Sequence, residues 1–165
     1  MTELYEKARA GDSGAFAELY RLYADKLYST AFYLLGRKED AEDVVMDTVA
    51  DAFASIRKLR DPNAFGGWIF RILMNKLKRK RGSYINEPGE LNEDITKAAE
   101  GGLTDEQIAV RQALAGLDDV SREIVTLSVI SGYRSEEIAR IMGMNANTVR
   151  SRKQRALMKL RDELE

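Results

Sequence analysis

The chain of 165 residues contains no Cys and no His, which excludes disulfides, thiolate metal sites, Cys nucleophiles and the commonest general base and metal ligand. Hydrophobic residues make up 44%, charged residues 32%, and there are only 2 prolines, a balance that predicts an all-α protein with extensive solvated helix surface. The net charge of -1 hides four blocks: -5 over residues 1–56, +8 over 57–82, -7 over 83–133 and +5 over 134–160. Two basic blocks, each beside an acidic one, point to two polyanion contacts and a further partner; the plainer alternative is two solvated helices.

In chain order, residues 2–35 read as one or two helices, with Phe16, Leu19, Tyr23, Leu27, Ala31 and Leu34 on one buried face. Gly36 ends this element. The next helix, 38–58, carries a core stripe of Ala41, Val44, Val45, Thr48, Val49, Ala52, Phe53 and Ile56. Asp61-Pro62 and Gly66-Gly67 predict a loop to Gly67, followed by a helix from Trp68 to Arg81 with Ile69, Ile72, Leu73 and Leu77 inward. From Gly82 to Gly102 the periodicity dissolves into Gly, Pro, Asn and acidic residues, the composition of a flexible acidic linker. The expected organisation is two small helical domains, 1–82 and 104–165, joined by a linker over 83–103.

Thr104 is a suitable N-cap for the second domain, whose helices are expected at 105–115, 120–131, 135–142 and 146–162. The segment 135–160 has the grammar of a helix–turn–helix. Ser135 can cap a short helix with Glu136 and Glu137 in its first turn and Ile138, Ala139 and Met142 inward. Gly143 permits the turn, and Asn145 can cap a longer basic helix with Val149, Ala156 and Leu160 inward. Its outward face presents Asn147, Arg150, Ser151, Gln154 and Arg155, with Thr148 near its start. Arg reads guanine and Asn or Gln reads adenine in the major groove, whereas Arg152, Lys153, Arg155 and Lys159 suit phosphates.

The strings AEDVVMDTVADAF (41–53) and FGGWIFRILMNKLKRKR (65–81) closely resemble the second conserved region of sigma factors. The string ALAGLDDVSREIVTLSVISGYRSEEIARIMGMNANTVRSRKQRAL (113–157) resembles their fourth. Both regions in this order, with no third domain between them, look like the extracytoplasmic-function group of alternative sigma factors of bacterial RNA polymerase. The resemblance implies that Glu42, Asp43, Met46 and Asp47 dock on the clamp helices of the polymerase largest subunit. It implies that Phe65, Trp68, Arg71 and Asn75, with Lys78 and Arg79 beside them, build and flank the surface for the promoter minus-ten element. Arg150, Ser151 and Arg155 match positions that contact the minus-thirty-five element. The implied partners are core polymerase, including the flap of its second-largest subunit, promoter DNA and an anti-sigma factor. This sequence departs from the family pattern at Met46 (usually Gln), Asp118 (usually Pro) and Lys153 (usually Leu).

No cofactor or metal is expected, and no residue set resembles a catalytic site. The start of the chain lacks a signal-peptide pattern and no apolar run approaches the roughly 20 residues of a membrane span, so a cytoplasmic protein without membrane insertion is expected. Two other readings compete. One is a conventional helix–turn–helix regulator that binds DNA as a dimer without polymerase, and the other a helical adaptor whose basic patches bind acidic proteins.

Overall fold

A computed structural model of the chain describes residues 2–84 and 104–164, so the linker expected over 83–103 lies outside the described residues from position 85 onward. The described residues form nine α-helices and no strand. Residues 2–35, expected as one or two helices, form three: α1 (Thr2–Arg9), α2 (Ser13–Arg21) and α3 (Ala24–Leu35). The first break is Gly11, whose φ of 105° leaves the helical region, after which Asp12 caps α2 by accepting from the Ala15 N–H at 3.1 Å. At the second break, Leu22 and Tyr23 donate to the carbonyls three residues back, tightening and ending α2.

Helix α4 (Lys38–Ser55) runs on into a 3₁₀ turn over Ile56–Lys58. Its inward stripe is buried as expected at Ala41, Val44, Val45, Thr48, Ala52 and Ile56, whereas Val49 is half-buried and Phe53, 39% exposed, lies edge-on to Phe16 at the rim. The predicted loop to Gly67 is shorter than expected. Asp61 accepts from the Asn63 N–H, a 3₁₀ turn covers Pro62–Ala64, and α5 (Phe65–Tyr84) begins three residues before Trp68. The Gly pair is therefore helical, and at Gly66 the reason is steric. A Cβ there would sit 2.8 Å from Cε1 of Tyr23, so α5 reaches α3 only without a side chain at this position. Phe70 and Met74 join Ile69, Leu73 and Leu77 in the buried face of α5, while Ile72 is only half-buried.

The second half comprises α6 (Asp105–Ala115), α7 (Asp119–Val125) with a π turn over Thr126–Ile130, α8 (Ser135–Met142) and α9 (Ala146–Leu164). Thr104 and Gln107 form a reciprocal capping box at the start of α6. Asp118, where the family pattern has Pro, caps α7 by accepting from the Ser121 N–H at 2.8 Å. That hydrogen bond, ahead of any ion pair, holds the Asp118 carboxyl below its ordinary range. Arg122 is buried and fixes the α6–α7 corner. Its guanidinium donates to the carbonyls of Leu114 (2.8 Å), Leu117 (2.7 Å) and Ala115 (3.3 Å) and pairs with Asp119 at 3.0 Å.

The two helical halves pack on each other. Ile124, Leu127, Ile138, Ile141 and Val149 share one apolar cluster with Leu27, Ile69, Phe70 and Leu73. Each side chain of this size, fully buried, contributes about 1.5–3 kcal/mol relative to exposure. Tyr133 meets Phe70 edge-on at 4.9 Å, and the buried hydroxyls of Thr30 and Ser131 hydrogen-bond at 2.6 Å. Arg111 of α6 lies over the end of α3 and donates to the Gly36 carbonyl at 3.5 Å. Gly36 is favoured there by its left-handed φ of 76°, and the guanidinium of Arg111 occupies the space that a side chain would take. Arg81 of α5 pairs with Asp119 at 3.2 Å, beside Glu123.

Arg122→Ala is expected to destabilise the fold by about 2–4 kcal/mol, read as a lower urea midpoint, because it strips donors from three carbonyls in a buried corner. Burial pushes the Glu123 carboxyl up from its ordinary value, against the opposing pull of Arg81 and Lys78. A carboxyl raised in the folded state binds its proton more readily there than in the unfolded chain. Its contribution is therefore full below the ordinary carboxyl range and is lost as pH rises through the folded value. Glu123→Gln should accordingly raise stability near pH 7 and change little near pH 4, measured as paired denaturation curves.

Candidate functional site

Three surfaces carry the residues singled out in the sequence. The first lies on α4. Glu42, Asp43, Met46 and Asp47 are all exposed, Met46 at 70%, while Ala41, Val44, Val45 and Thr48 on the opposite side are buried. Beside Met46, a groove between α2 and α4 is lined by Ser13, Phe16, Tyr20, Val49, Ala50 and Phe53. The surface is thus an apolar furrow next to a row of carboxylates. Its apolar part is not evident from the sequence, because helical periodicity assigns Val49 and Phe53 to the core.

The second surface lies on α5, and here the basic block divides. Lys76 pairs with Asp51 of α4 at 2.7 Å, Lys80 with Asp40 at 3.7 Å, and Arg81 with Asp119. The Tyr84 hydroxyl also donates to Asp40, and Arg37 lies 4.1 Å from the centre of the Tyr84 ring. These cations are engaged within the molecule. Arg71, Asn75, Lys78 and Arg79 instead lie exposed on one side of α5. Phe65 is not on this surface: it is fully buried, between Phe16 (6.3 Å), Tyr23 (5.5 Å) and Trp68 (5.9 Å). Phe65 therefore offers no atom to DNA in this conformation and acts as the support against which the half-buried Trp68 rests. Helix α8 closes over the same end of α5, where a methyl group on Gly67 would lie 4.0 Å from Cγ1 of Ile141.

The third surface is the outward side of α9. Gly143, at φ 66°, ends α8 in the left-handed region, and the Met144 N–H returns to the Ala139 carbonyl at 2.9 Å. Asn145 then caps α9, accepting from the Asn147 N–H at 2.8 Å. The start of α8 differs from expectation. Arg134, not Ser135, occupies the cap position, and its N–H donates to the Glu137 carboxylate at 3.0 Å, leaving Ser135 buried as the first helical residue. Ile141 joins Ile138 and Ala139 in the buried face of α8, while Met142 is half-buried.

Val149 and Ala156 anchor α9 inward, and Asn147, Thr148, Arg150, Ser151, Gln154 and Arg155 are all exposed. Arg150 is held at both terminal nitrogens, by Asn147 Oδ1 at 2.6 Å and by Glu136 Oε1 at 2.6 Å. Ser151 donates to the Asn147 carbonyl at 3.2 Å and Arg155 to the Ser151 carbonyl at 3.4 Å. Arg152 turns away from this row toward the α6–α7 corner, 3.6 Å from Asp118, and Lys159 donates to the Gly116 carbonyl at 2.6 Å. Lys153 is half-buried, its stem available to cover the apolar side of α9. The Glu136–Arg150 contact went unseen in the sequence, where Glu136 was credited only with favouring the start of α8.

Among the described residues no cluster of His, Cys, Asp or Glu could hold a metal, and no helix is long and apolar enough to cross a membrane. The family description "Sigma-70 region 2" matches residues 19–83, and "Sigma-70, region 4" matches residues 107–160. The chain is 34% identical to the ECF RNA polymerase sigma factor SigE of Mycolicibacterium smegmatis over 93% of its own length, and spans 64% of that relative. It is 30% identical to the RNA polymerase sigma factor NccH of Alcaligenes xylosoxydans xylosoxydans, covering 95% of this chain and 90% of that one. Among solved structures, CnrH in complex with the cytosolic domain of CnrY superposes with a TM-score of 0.79 at 30% identity, over 98% of this chain and 94% of the other.

Proposed function

We infer the function of this chain from its family: it belongs to the extracytoplasmic-function RNA polymerase sigma factors of the sigma-70 family, and we propose that it binds core polymerase and directs it to a class of promoters. The observation that carries this reading is the pair of exposed basic faces on separate helices, α5 and α9, in one chain. A conventional dimeric regulator requires only the second. An adaptor for acidic proteins has no use for an Asn145-capped helix with Arg150 held in place.

Each surface then has a task. The furrow between α2 and α4, flanked by Glu42, Asp43 and Asp47, suits an amphipathic helix with basic flanks, the chemistry expected of the polymerase clamp helices. Met46, in place of Gln, adds a flexible apolar contact there. Arg71, Asn75, Lys78 and Arg79 track the minus-ten backbone, while Trp68, braced by Phe65, lies where an unstacked base can be held, offsetting an opening cost of a few kcal/mol. Asn147, Thr148, Arg150, Ser151, Gln154 and Arg155 face the minus-thirty-five element, and the domain that carries them approaches the flap of the second-largest subunit. Arg152, drawn toward Asp118, is left to phosphate. The protein makes and breaks no bonds, works in the cytoplasm with its polymerase and is restrained by an anti-sigma factor, in keeping with the complex of the sigma factor RpoE with the anti-sigma factor NepR from Bartonella quintana, a structural relative at 27% identity.

The packing of the two halves bears on this mechanism. Minus-ten and minus-thirty-five elements are centred about 25 base pairs apart, roughly 85 Å at about 3.4 Å per pair. A compact chain of this length has a radius of gyration of only about 15 Å. With Leu73 of α5 and Val149 of α9 in one apolar cluster, the packed form cannot reach both elements, and the halves must part on the promoter.

Two measurements test the proposal. Replacing Asp43 and Asp47 with Lys should weaken binding to core polymerase at least about tenfold in competition with a housekeeping sigma factor, through loss of charge complementarity. Unchanged binding would remove the docking role of α4. The 2.6 Å separation of the Thr30 and Ser131 hydroxyls would also bring sulfur atoms there within reach of a disulfide, and the chain has no other Cys to interfere. Oxidised Thr30→Cys/Ser131→Cys should fail to form open promoter complexes, and reduction should restore them. Equal activity in both states would show that the packed form is itself competent.

A further inference from the structure

We propose that Glu136 sets the sequence discrimination of Arg150, keeping its guanidinium a base reader and preventing it from becoming a phosphate neutraliser. The inference rests on the assignment of α9 to the minus-thirty-five element and deepens it. Glu136 stands in the first turn of α8 and Arg150 in the second turn of α9, and their side chains meet across the turn at 2.6 Å. Both helices are fixed relative to each other by buried Ile138 and Val149, by the left-handed Gly143 and by the Asn145 cap. The carboxylate is therefore delivered by a rigid frame, the condition for preorganising a functional side chain.

The pairing is selective. Of the cations around α8, Arg134 makes its ion pair with Glu137 at 3.3 Å, and Glu136 pairs with Arg150. The hydrogen bond from Arg150 holds the Glu136 carboxyl below its ordinary range, so it remains anionic at neutral pH. Both side chains are about half exposed, at 49% and 55%, and an ion pair so wetted contributes little to stability. Its effect falls on orientation and charge.

Orientation follows from donor arithmetic. Arg150 carries five N–H groups, of which one on each terminal nitrogen goes to Asn147 and Glu136. One remains on each, a fork able to meet the O6 and N7 acceptors of guanine, held against swinging along the groove. Charge works in the same direction. A lone Arg at the edge of DNA is drawn to any phosphate, whatever the sequence. With Glu136 beside it, that attraction is cancelled and the carboxylate repels the backbone, so Arg150 gains most from the one contact the acid does not oppose. Discrimination then comes as much from weakening the wrong contacts as from making the right one.

The test uses holoenzyme assembled from core polymerase and the full chain, selected on duplexes with a randomised minus-thirty-five element. Wild type, Arg150→Ala, Glu136→Ala and Glu136→Gln are compared, with binding of each free chain to a promoterless duplex measured alongside. A bidentate Arg–guanine contact discriminates by about 5- to 150-fold. Arg150→Ala should erase the preference at one base position. Glu136→Ala should lower it at that same position by about fivefold or more, leave the others intact, and bind the promoterless duplex more tightly. Glu136→Gln, which keeps an acceptor oxygen without the charge, should retain part of the preference. Melting temperatures should stay unchanged. Wild-type preference in Glu136→Ala while Arg150→Ala loses it would overturn the proposal alone, as would an equal loss at every position. No effect of Arg150→Ala at any position would overturn both the proposal and the assignment of α9 on which it rests.

Discussion

Helix α5 is asked to bury one side in its own half of the molecule, receive a second half against the same apolar surface, and still present cations to solvent. Phe65, Ile69, Phe70, Leu73, Met74 and Leu77 take up the buried side so fully that none is more than 6% exposed. Gly66 lets the helix close on Tyr23, and Ile141 of α8 packs beside Gly67 from the other half. The exposed basic faces of α5 and α9 are therefore coupled through one set of contacts. Whatever loosens α8 from α5 also frees the end of α5 where Trp68 lies. The Thr30–Ser131 hydroxyl pair shows the quality of this packing, since two buried polar atoms from distant parts of the chain satisfy each other.

The charge blocks resolve in the same way. A run of +8 over residues 57–82 would repel itself if all of it faced water. Instead Lys76 and Lys80 are taken up by Asp51 and Asp40 of α4, and Arg81 by Asp119. The acidic helix α4 thus has two edges: Asp40 and Asp51 pair with cations of α5, and Glu42, Asp43 and Asp47 face solvent. The remaining cations of α5 define a narrower surface than the sequence block suggests.

Much of this was legible in the residues because period and cap signals agree with the fold. The α4 stripe, the Thr104 and Asn145 caps, the Gly143 turn and the inward positions of α9 depend on local chemistry alone. The misreadings share a cause, which is that tertiary contacts decide what local rules leave open. Gly66-Gly67 reads as a break, yet the pair is helical, and at Gly66 the close approach to Tyr23 leaves no room for a side chain. Phe65 resembles a contact residue but is enclosed by three aromatic rings from different elements. Ser135 is a good cap by type, but the Glu137 carboxylate moves the cap to Arg134. The Glu136–Arg150 pair spans a turn whose geometry no periodicity describes.

The Arg122 corner has a consequence for how this half of the chain can vary. Its guanidinium is met by main-chain oxygens at positions 114, 115 and 117, atoms that every residue type supplies. The side chains at 114, 115 and 117 therefore play no part in holding the guanidinium, whereas Asp118 and Asp119 keep theirs as the α7 cap and as the ion-pair partner of Arg122. A corner fastened by backbone fixes geometry while leaving composition open. The three acceptors that hold Arg122 survive any change of side chain at their positions, and with them the bend against which α9 packs.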